Sequence, residues 1–240
     1  MEINLEVVQE NYLAVKQRIT NAAVSVGHNP DDINLIVVTK ALPCQYATLA
    51  IMAGAKHLGE NYPEEGAQKI IEINSQGVAW HMIGHIQRRK AKIVAAHYDM
   101  VHSVDSLRLA NALNTECQKN NKVMPILLEI NVGGEVSKGG WSVFEIGDVE
   151  KVIEEFEQII SMSALKVNGL MAMPPLHDDA ERSRPYFKKM REIRNMLNKR
   201  FNNIFIDLSM GTSHDYEIAV EEGATYVRVG RSILGPRPVK

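Results

Sequence analysis

Cysteine is scarce in this chain of 240 residues. Cys44 and Cys117 are the only two, they lie far apart, and they fit neither a CxxC pair nor a zinc-binding spacing. That argues against a disulfide framework or a thiolate metal centre. Long hydrophobic runs are also missing. No stretch approaches the roughly 18 apolar residues of a membrane span, and the start Met1-Glu2-Ile3-Asn4-Leu5-Glu6 lacks the basic and apolar regions of a signal peptide. The expected location is therefore the cytosol. Positive charge is not in excess either: 27 Lys and Arg stand against 29 Asp and Glu, a formal net charge of -2, where a broad nucleic-acid surface needs clustered excess base. The one basic run, Arg88-Arg89-Lys90 with Lys92, reads as the solvated face of a helix. No linker, low-complexity tract or internal repeat interrupts the chain, and 45% hydrophobic content suffices for one large core. A single domain over residues 1–240 is expected.

What is present is a regular alternation. Leu5, Val8, Tyr12, Val15, Ile19, Ala22 and Val26 recur at spacings of three and four, the pattern of an amphipathic helix with one buried stripe. Gly27 and Asn29-Pro30 end it. Short apolar runs then predict strands near 33–40, 57–60, 79–84, 100–104, 125–132, 165–171, 204–209 and 225–229. Helical patterns fit between them near 44–53, 62–74, 87–97, 106–120, 143–160, 178–200 and 214–222, with a short helix after Ser232. Eight strand-helix units without a Gly-rich turn after the first strand predict an α/β fold of the (β/α)₈ barrel type, preceded by an extra helix, rather than an open doubly wound sheet.

In a barrel the site lies at the carboxyl ends of the strands, so those ends are read in order. Lys40 ends the run Ile33-Asn34-Leu35-Ile36-Val37-Val38-Thr39. It is either a Schiff-base former, because partial burial disfavours its ammonium, or a lysine that snorkels to solvent. Ser209-Met210-Gly211-Thr212-Ser213-His214-Asp215 reads as a turn opening a helix, an anion cradle or a plain N-cap. Arg228-Val229-Gly230-Arg231-Ser232 brings a second glycine to the neighbouring strand end, and two such turns favour phosphate. Arg228 lies within an apolar strand and needs a partner; Glu129 and Asp207 are both candidates. A lysine facing a phosphate site suits pyridoxal 5′-phosphate. It also suits a Schiff-base aldolase acting on sugar phosphates, although Gly169-Leu170-Met171-Ala172-Met173-Pro174 carries no lysine after strand six. His81 and His85 are a weak metal pair with no third ligand in evidence. Gly59-Glu60-Asn61-Tyr62 offers polar groups to a ligand ring, or simply a turn and cap.

Together these residues resemble the pyridoxal phosphate homeostasis protein family. The motifs are Lys40, Gly59-Glu60-Asn61, Trp80-His81-Met82-Ile83-Gly84 with Gln87 and Lys90, and His102-Ser103-Val104-Asp105. They continue with Asn131, Glu135-Val136-Ser137-Lys138-Gly139-Gly140, Gly169 to Pro174, Leu208-Ser209-Met210-Gly211 with Ser213, and Arg228-Val229-Gly230. The resemblance implies a barrel like the N-terminal domain of fold-type III enzymes such as alanine racemase, with the cofactor on Lys40. It further implies that Ser213, Gly230 and neighbouring backbone hold the phosphate while Arg228 faces the pyridine nitrogen. Asn61, Ser209, Met210, Arg231 and Ser232 complete the expected cofactor contacts. Thr39 and Ala41 flank Lys40 where the family often has Ser and Thr, Thr212 replaces a common Met, and Arg231 a common Thr or Ser. The implied role is storage or delivery of the cofactor, with pyridoxal phosphate-dependent apoenzymes as recipients and no turnover. The rival is an amino-acid racemase. Such enzymes take a second base from a C-terminal β domain, for which a chain ending at Lys240 has no evident source. A monomer is expected.

Overall fold

A computed structural model describes residues 4–135 and 139–236. Helix α1 (Leu5–Ser25) opens the chain, with the Asn4 side chain accepting from Val7 N–H at 3.0 Å, the N-cap bond that short polar residues supply. Val8, Tyr12, Val15, Ile19, Ala22 and Ala23 are buried. Val26, expected in this stripe, is past the helix end and 43% exposed.

Eight strands close into a parallel barrel: β1 (Asn34–Val38), β2 (His57–Glu60), β3 (Ala79–Met82), β4 (Met100–Val104), β5 (Met124–Asn131), β7 (Leu165–Met171), β8 (Asp207–Thr212) and β9 (Tyr226–Val229). Consecutive strands pair, β9 pairs back to β1, and β4 meets β5. The short β6 (Trp141–Ser142) adds a parallel pair to the end of β5. Its two residues are too few for a periodic signal, and the sequence reading does not contain it. Around the barrel run α2 (Cys44–Met52), α3 (Pro63–Ile73), α4 (Ala91–His97), α5 (Leu107–Lys119), α6 (Ile153–Ile160), α7 (Arg184–Arg200), α8 (Tyr216–Glu221) and α9 (Arg231–Leu234). The predicted helices 143–160 and 178–200 each begin as 3₁₀ turns, Ile146–Lys151 and Ala180–Ser183. The basic run also forms a 3₁₀ turn, Arg88–Lys90, whose two arginines are exposed and whose Lys90 pairs with Glu64. Among the described residues no helix is long and apolar enough to cross a membrane.

The strand expected at 204–209 runs instead from Asp207 to Thr212. Asn202 and Asn203 both adopt positive φ, and the Asn198 side chain bonds both Phe205 N–H and Phe205 C=O, at 2.9 and 3.0 Å. These bonds make 202–206 a connection rather than a strand start. At the other end the pairing shifts between Ser209↔Tyr226 and Thr212↔Arg228, a β-bulge that carries β8 past the expected turn.

Alternation sorts the side chains. Leu35 and Val37, Leu208 and Met210, Val227 and Val229 join the main apolar cluster against the helices. Ile36, Val38 and Ile83 form one small cluster inside the barrel, and Met100, Leu127 and Met171 another, both touched by Tyr226. Where β7 meets β8, a Cβ on Gly169 would lie 2.0 Å from the Asp207 carbonyl oxygen. Gly169→Ala should therefore force the two strands apart and cost about 1–3 kcal/mol, the usual range for overpacking. Urea denaturation at neutral pH measures this, and an unchanged midpoint would show that the strands yield freely.

Candidate functional site

A cavity of about 360 Å³ opens at the carboxyl end of the barrel. Its lining includes Val38, Lys40, Asn61, Ile83, Thr212, Ser213, Arg228, Gly230 and Arg231. Six of the nine site residues expected from sequence thus meet in one place: Lys40, Asn61, Ser213, Arg228, Gly230 and Arg231. The other three do not line it. Met210 is fully buried on the helix-facing side of β8, Ser209 points into the barrel beneath the cavity and bonds to Arg228, and Ser232 is exposed on α9. The cause is the later start of β8. Its alternation turns Met210 outward, and the bulge brings Thr212 and Ser213 to the cavity.

The backbone around Lys40 is held by a buried ionic cluster that the sequence reading missed. Lys69, on α3, donates from Nζ to the Thr39 carbonyl at 2.8 Å and to the carboxylates of Glu60 and Glu65, each at 2.7 Å. Thr39 Oγ1–H donates to Glu60 at 2.6 Å, and Ala41 N–H donates to Glu65 at 2.7 Å. Peptide groups on both sides of Lys40 are therefore tied to one ammonium and two carboxylates. Ala41 sits at φ 56°, a left-handed conformation that costs an L-residue energy and persists where surroundings enforce it. Burial pushes the Glu60 carboxyl up, while Lys69 and the Thr39 hydroxyl pull it back. The only sequence signal for Lys69 was its place four residues after Glu65, which reads equally well as a surface pair.

Across the cavity, Arg228 is 4% exposed. Its Nη1 donates to Ser209 Oγ at 2.6 Å and its Nη2 to the Ala172 carbonyl at 3.0 Å. Burial lowers the guanidinium to about 10, opposed by Asp215 and Glu129, so it remains charged at neutral pH. Of the two expected partners, Glu129 contributes through its field, and Asp207 accepts from Thr225 Oγ1–H at 3.0 Å. Between these walls, Gly230 N–H donates to Ser213 Oγ at 3.1 Å, joining the turns after β8 and β9. Asp215 accepts from Thr212 N–H and Oγ1–H at 2.7 and 3.1 Å and fixes the first of them.

Two features bear on what fits. Asn61 Oδ1 is buried with no hydrogen-bond partner among the described residues, leaving a polar end available to a ligand. A Cβ on Gly230 would lie 3.1 Å from the Val38 carbonyl, so a side chain there would crowd the strand end beside the cavity. His81 and His85 do not form a pair: His81 is inside the barrel, and His85 is exposed, 3.0 Å from Asp105. In the motif running from Glu135 to Gly140, Val136, Ser137 and Lys138 lie outside the described residues.

Residues 3–238 match the family described as alanine racemase, N-terminal domain. A protein of Aquifex aeolicus named pyridoxal phosphate homeostasis protein is 36% identical over 228 residues, 95% of this chain and 97% of its own. The chain belongs to the pyridoxal phosphate homeostasis protein family. PipY of Synechococcus elongatus, solved with pyridoxal phosphate bound, superposes with a TM-score of 0.77 at 29% identity, covering 90% of this chain and all of that one. An alanine racemase of Clostridium difficile shares the fold at 15% identity with a TM-score of 0.73, over 99% of this chain and 58% of its own. The barrel and its family are thus as the motifs indicated.

Two predictions follow from the buried charges. Lys69→Met leaves the Glu60 and Glu65 carboxylates facing each other without their cation, and should destabilise the fold by about 3–5 kcal/mol, read as a lowered urea midpoint. Burial also holds the imidazoles of His57, His81 and His102 below their ordinary value, His81 at about 3. The unfolded chain protonates them near about 6.5 and so binds more protons than the fold below that pH. Their contribution is full above about pH 7 and is lost as pH falls through about 6.5, by up to about 1.4 kcal/mol per pH unit for each buried ring. Urea titrations at several pH values should show this slope, and His81→Phe should make it shallower.

Proposed function

We propose that this chain holds pyridoxal 5′-phosphate covalently through Lys40 and serves to store or deliver it, without catalytic turnover. The observation that carries this reading is the meeting of Lys40, Arg228 and the joined turns of Ser213 and Gly230 around one cavity. When bound, the cofactor supplies an aldehyde that condenses with an amine, releasing water, and a phosphate that needs donors.

The residues present match both needs. Lys40 lies on backbone fixed by Lys69, Glu60 and Glu65, which orders the chain from which its amine projects. Gly230 admits close backbone approach, Ser213 supplies a hydroxyl at the same turn, and Arg231 adds a positive charge at the rim. Asn61 supplies the unpaired polar atom. Arg228 is a fixed donor that keeps its proton at neutral pH. Set against a pyridine nitrogen, it leaves that nitrogen unprotonated and the ring a weak electron sink, which favours holding over carbanion chemistry. An incoming amine of a recipient apoenzyme can displace Lys40, which leaves as an amine and regains its proton.

Borohydride reduction of protein mixed with pyridoxal phosphate, followed by peptide mapping, should place the label on Lys40. Lys40→Ala should lose the label and keep the fold, since its side chain lies at a cavity wall. Label spread over surface lysines would refute the assignment. Interconversion of L- and D-alanine at an enzyme-like rate would replace storage by racemisation.

A further inference from the structure

Below the cavity, the barrel interior contains a chain of polar side chains that the holding role leaves unused. From Arg228 it passes to Ser209 Oγ, from which His102 Nδ1 lies 2.8 Å away. His102 Nε2 is 2.9 Å from His81 Nδ1, and His81 Nε2 is 3.0 Å from His57 Nδ1. His102 and His81 are buried, whereas half-buried His57 reaches a groove at the opposite mouth of the barrel, lined by Lys56, Gly77, Val78 and Asp99 among others. The chain thus connects the amino-terminal end of the strands to the guanidinium at the carboxyl end.

Arg228 sets its proton order from one side. A guanidinium only donates, so Ser209 Oγ accepts from Arg228 and has a single proton to give, and the other contact of this hydroxyl among the described residues is His102 Nδ1. With that proton given to His102 Nδ1, His102 carries its own on Nε2 and donates it to His81 Nδ1, and His81 donates in the same sense to His57. We propose that Ser209, His102, His81 and His57 form a hydrogen-bond relay of one polarity, with all three imidazoles neutral and protonated at Nε2, that positions Arg228 and couples it to solvent at the barrel floor. Each lone pair faces toward Arg228 and each N–H points away, an arrangement that favours a buried cation and strengthens cooperatively. A proton held on His57 Nδ1 would oppose the N–H of His81 Nε2, so His81 and then His102 would have to shift their single proton from Nε2 to Nδ1, leaving His102 Nδ1–H directed at the Ser209 oxygen that also accepts from Arg228. Protonation at the floor and anchoring of Arg228 are therefore opposed.

The surroundings are consistent with neutral rings. Tyr226 of β9 packs its ring against His57, His81 and His102 at centroid distances of 6.2, 5.7 and 5.2 Å. The charged groups around this assembly include Lys56 and Asp99, which share the floor groove with His57, Asp207 of β8, which acts on Tyr226, and Glu129 of β5 with Asp215, which act on Arg228. Burial lowers all three imidazoles.

The test is ¹⁵N NMR of protein labelled at histidine, first without cofactor. His57, His81 and His102 should all show the neutral Nε2–H pattern at neutral pH, and the buried His81 and His102 should fail to titrate between about pH 5 and 8, where an ordinary histidine does. Ser209→Ala, which cuts the link to Arg228, should let His102 populate both tautomers. An Nδ1–H form of His81 or His102 in the wild type, or ordinary titration of either, would overturn the relay, as would an unchanged His102 in Ser209→Ala. The effect on a bound ligand rests on the proposed holding of pyridoxal phosphate. His81→Phe breaks the relay, while His81→Gln keeps one acceptor and one donor. The first should change the rate of cofactor release roughly fivefold, the scale of one net hydrogen bond, and the second should restore it. Equal rates in both variants would reject the positioning role. Absence of any Lys40 adduct in the wild type would instead reject the holding role, and the tautomer readout would stand apart from it.

Discussion

A closed parallel barrel gives every strand two faces with different requirements, and the rest of this structure depends on that division. The outer face must be apolar because helices cover it. The inner face is narrow and ends in a mouth where ligands gather. In this chain the inner face is apolar only in part: Ile36, Val38, Ile83, Met100, Leu127 and Met171 share it with His81, His102, Ser209 and Arg228. Polar groups can remain there because each one bonds to the next, which avoids the cost of an unpaired buried donor or acceptor. The same division explains why neighbouring residues on one strand have unlike fates. Ser209 turns inward and holds Arg228, and Met210 turns outward and fills the helix interface.

At the mouth, a second assembly does for Lys40 what the interior chain does for Arg228. Lys69 places one cation among two carboxylates and a backbone carbonyl, almost out of contact with water. Such a cluster is not a strong source of stability, because desolvation offsets much of the attraction. Its effect is geometric. Any shift of the residues beside Lys40 would break a charge-assisted bond in a medium of low polarity, so the peptide groups of Thr39 and Ala41 are held in place and Ala41 keeps its left-handed backbone. The lysine is thereby presented from a stiff loop whose peptide groups on either side are fixed.

How much of this was legible in the sequence depends on whether a signal was local. Strands and helices followed from periodicity, and Lys40, Arg228 and Gly230 stood out because a charge or a glycine at the end of an apolar run conflicts with the run itself. The position of β8 did not follow, since it rests on the bonds of Asn198 around Phe205 and on a bulge at Met210 and Gly211. Neither has a pattern along the chain. Lys69 looked like any surface lysine. The histidines were harder still, at one per strand on three successive strands, with separations of 24 and 21 residues. Only the register of the barrel aligns them: His57 lies opposite Ala79, and His81 opposite both Gly59 and Met100. Each imidazole stands a step further along its strand than the last, and the stagger carries the chain from one mouth to the other.

A protein that holds a reactive aldehyde must satisfy two demands that pull apart. The amine must be nucleophilic enough to capture the ligand, and the ring must not become so electron-poor that it begins to activate whatever amine arrives next. On the proposed reading, capture falls to Lys40 and its stiff loop. Restraint falls to the opposite wall, where a guanidinium would take the place of an acid. An arginine in that position is useful only while it keeps both its charge and its direction. Burial erodes the charge, and the fields of Glu129 and Asp215 sustain it. Direction comes from Ser209 Oγ and the Ala172 carbonyl, two acceptors at fixed points on β8 and just past β7. Ser209 can be an acceptor toward Arg228 only if its proton has somewhere else to go. In this barrel that destination is His102, so the histidines bear on how the ring would be held without ever touching it.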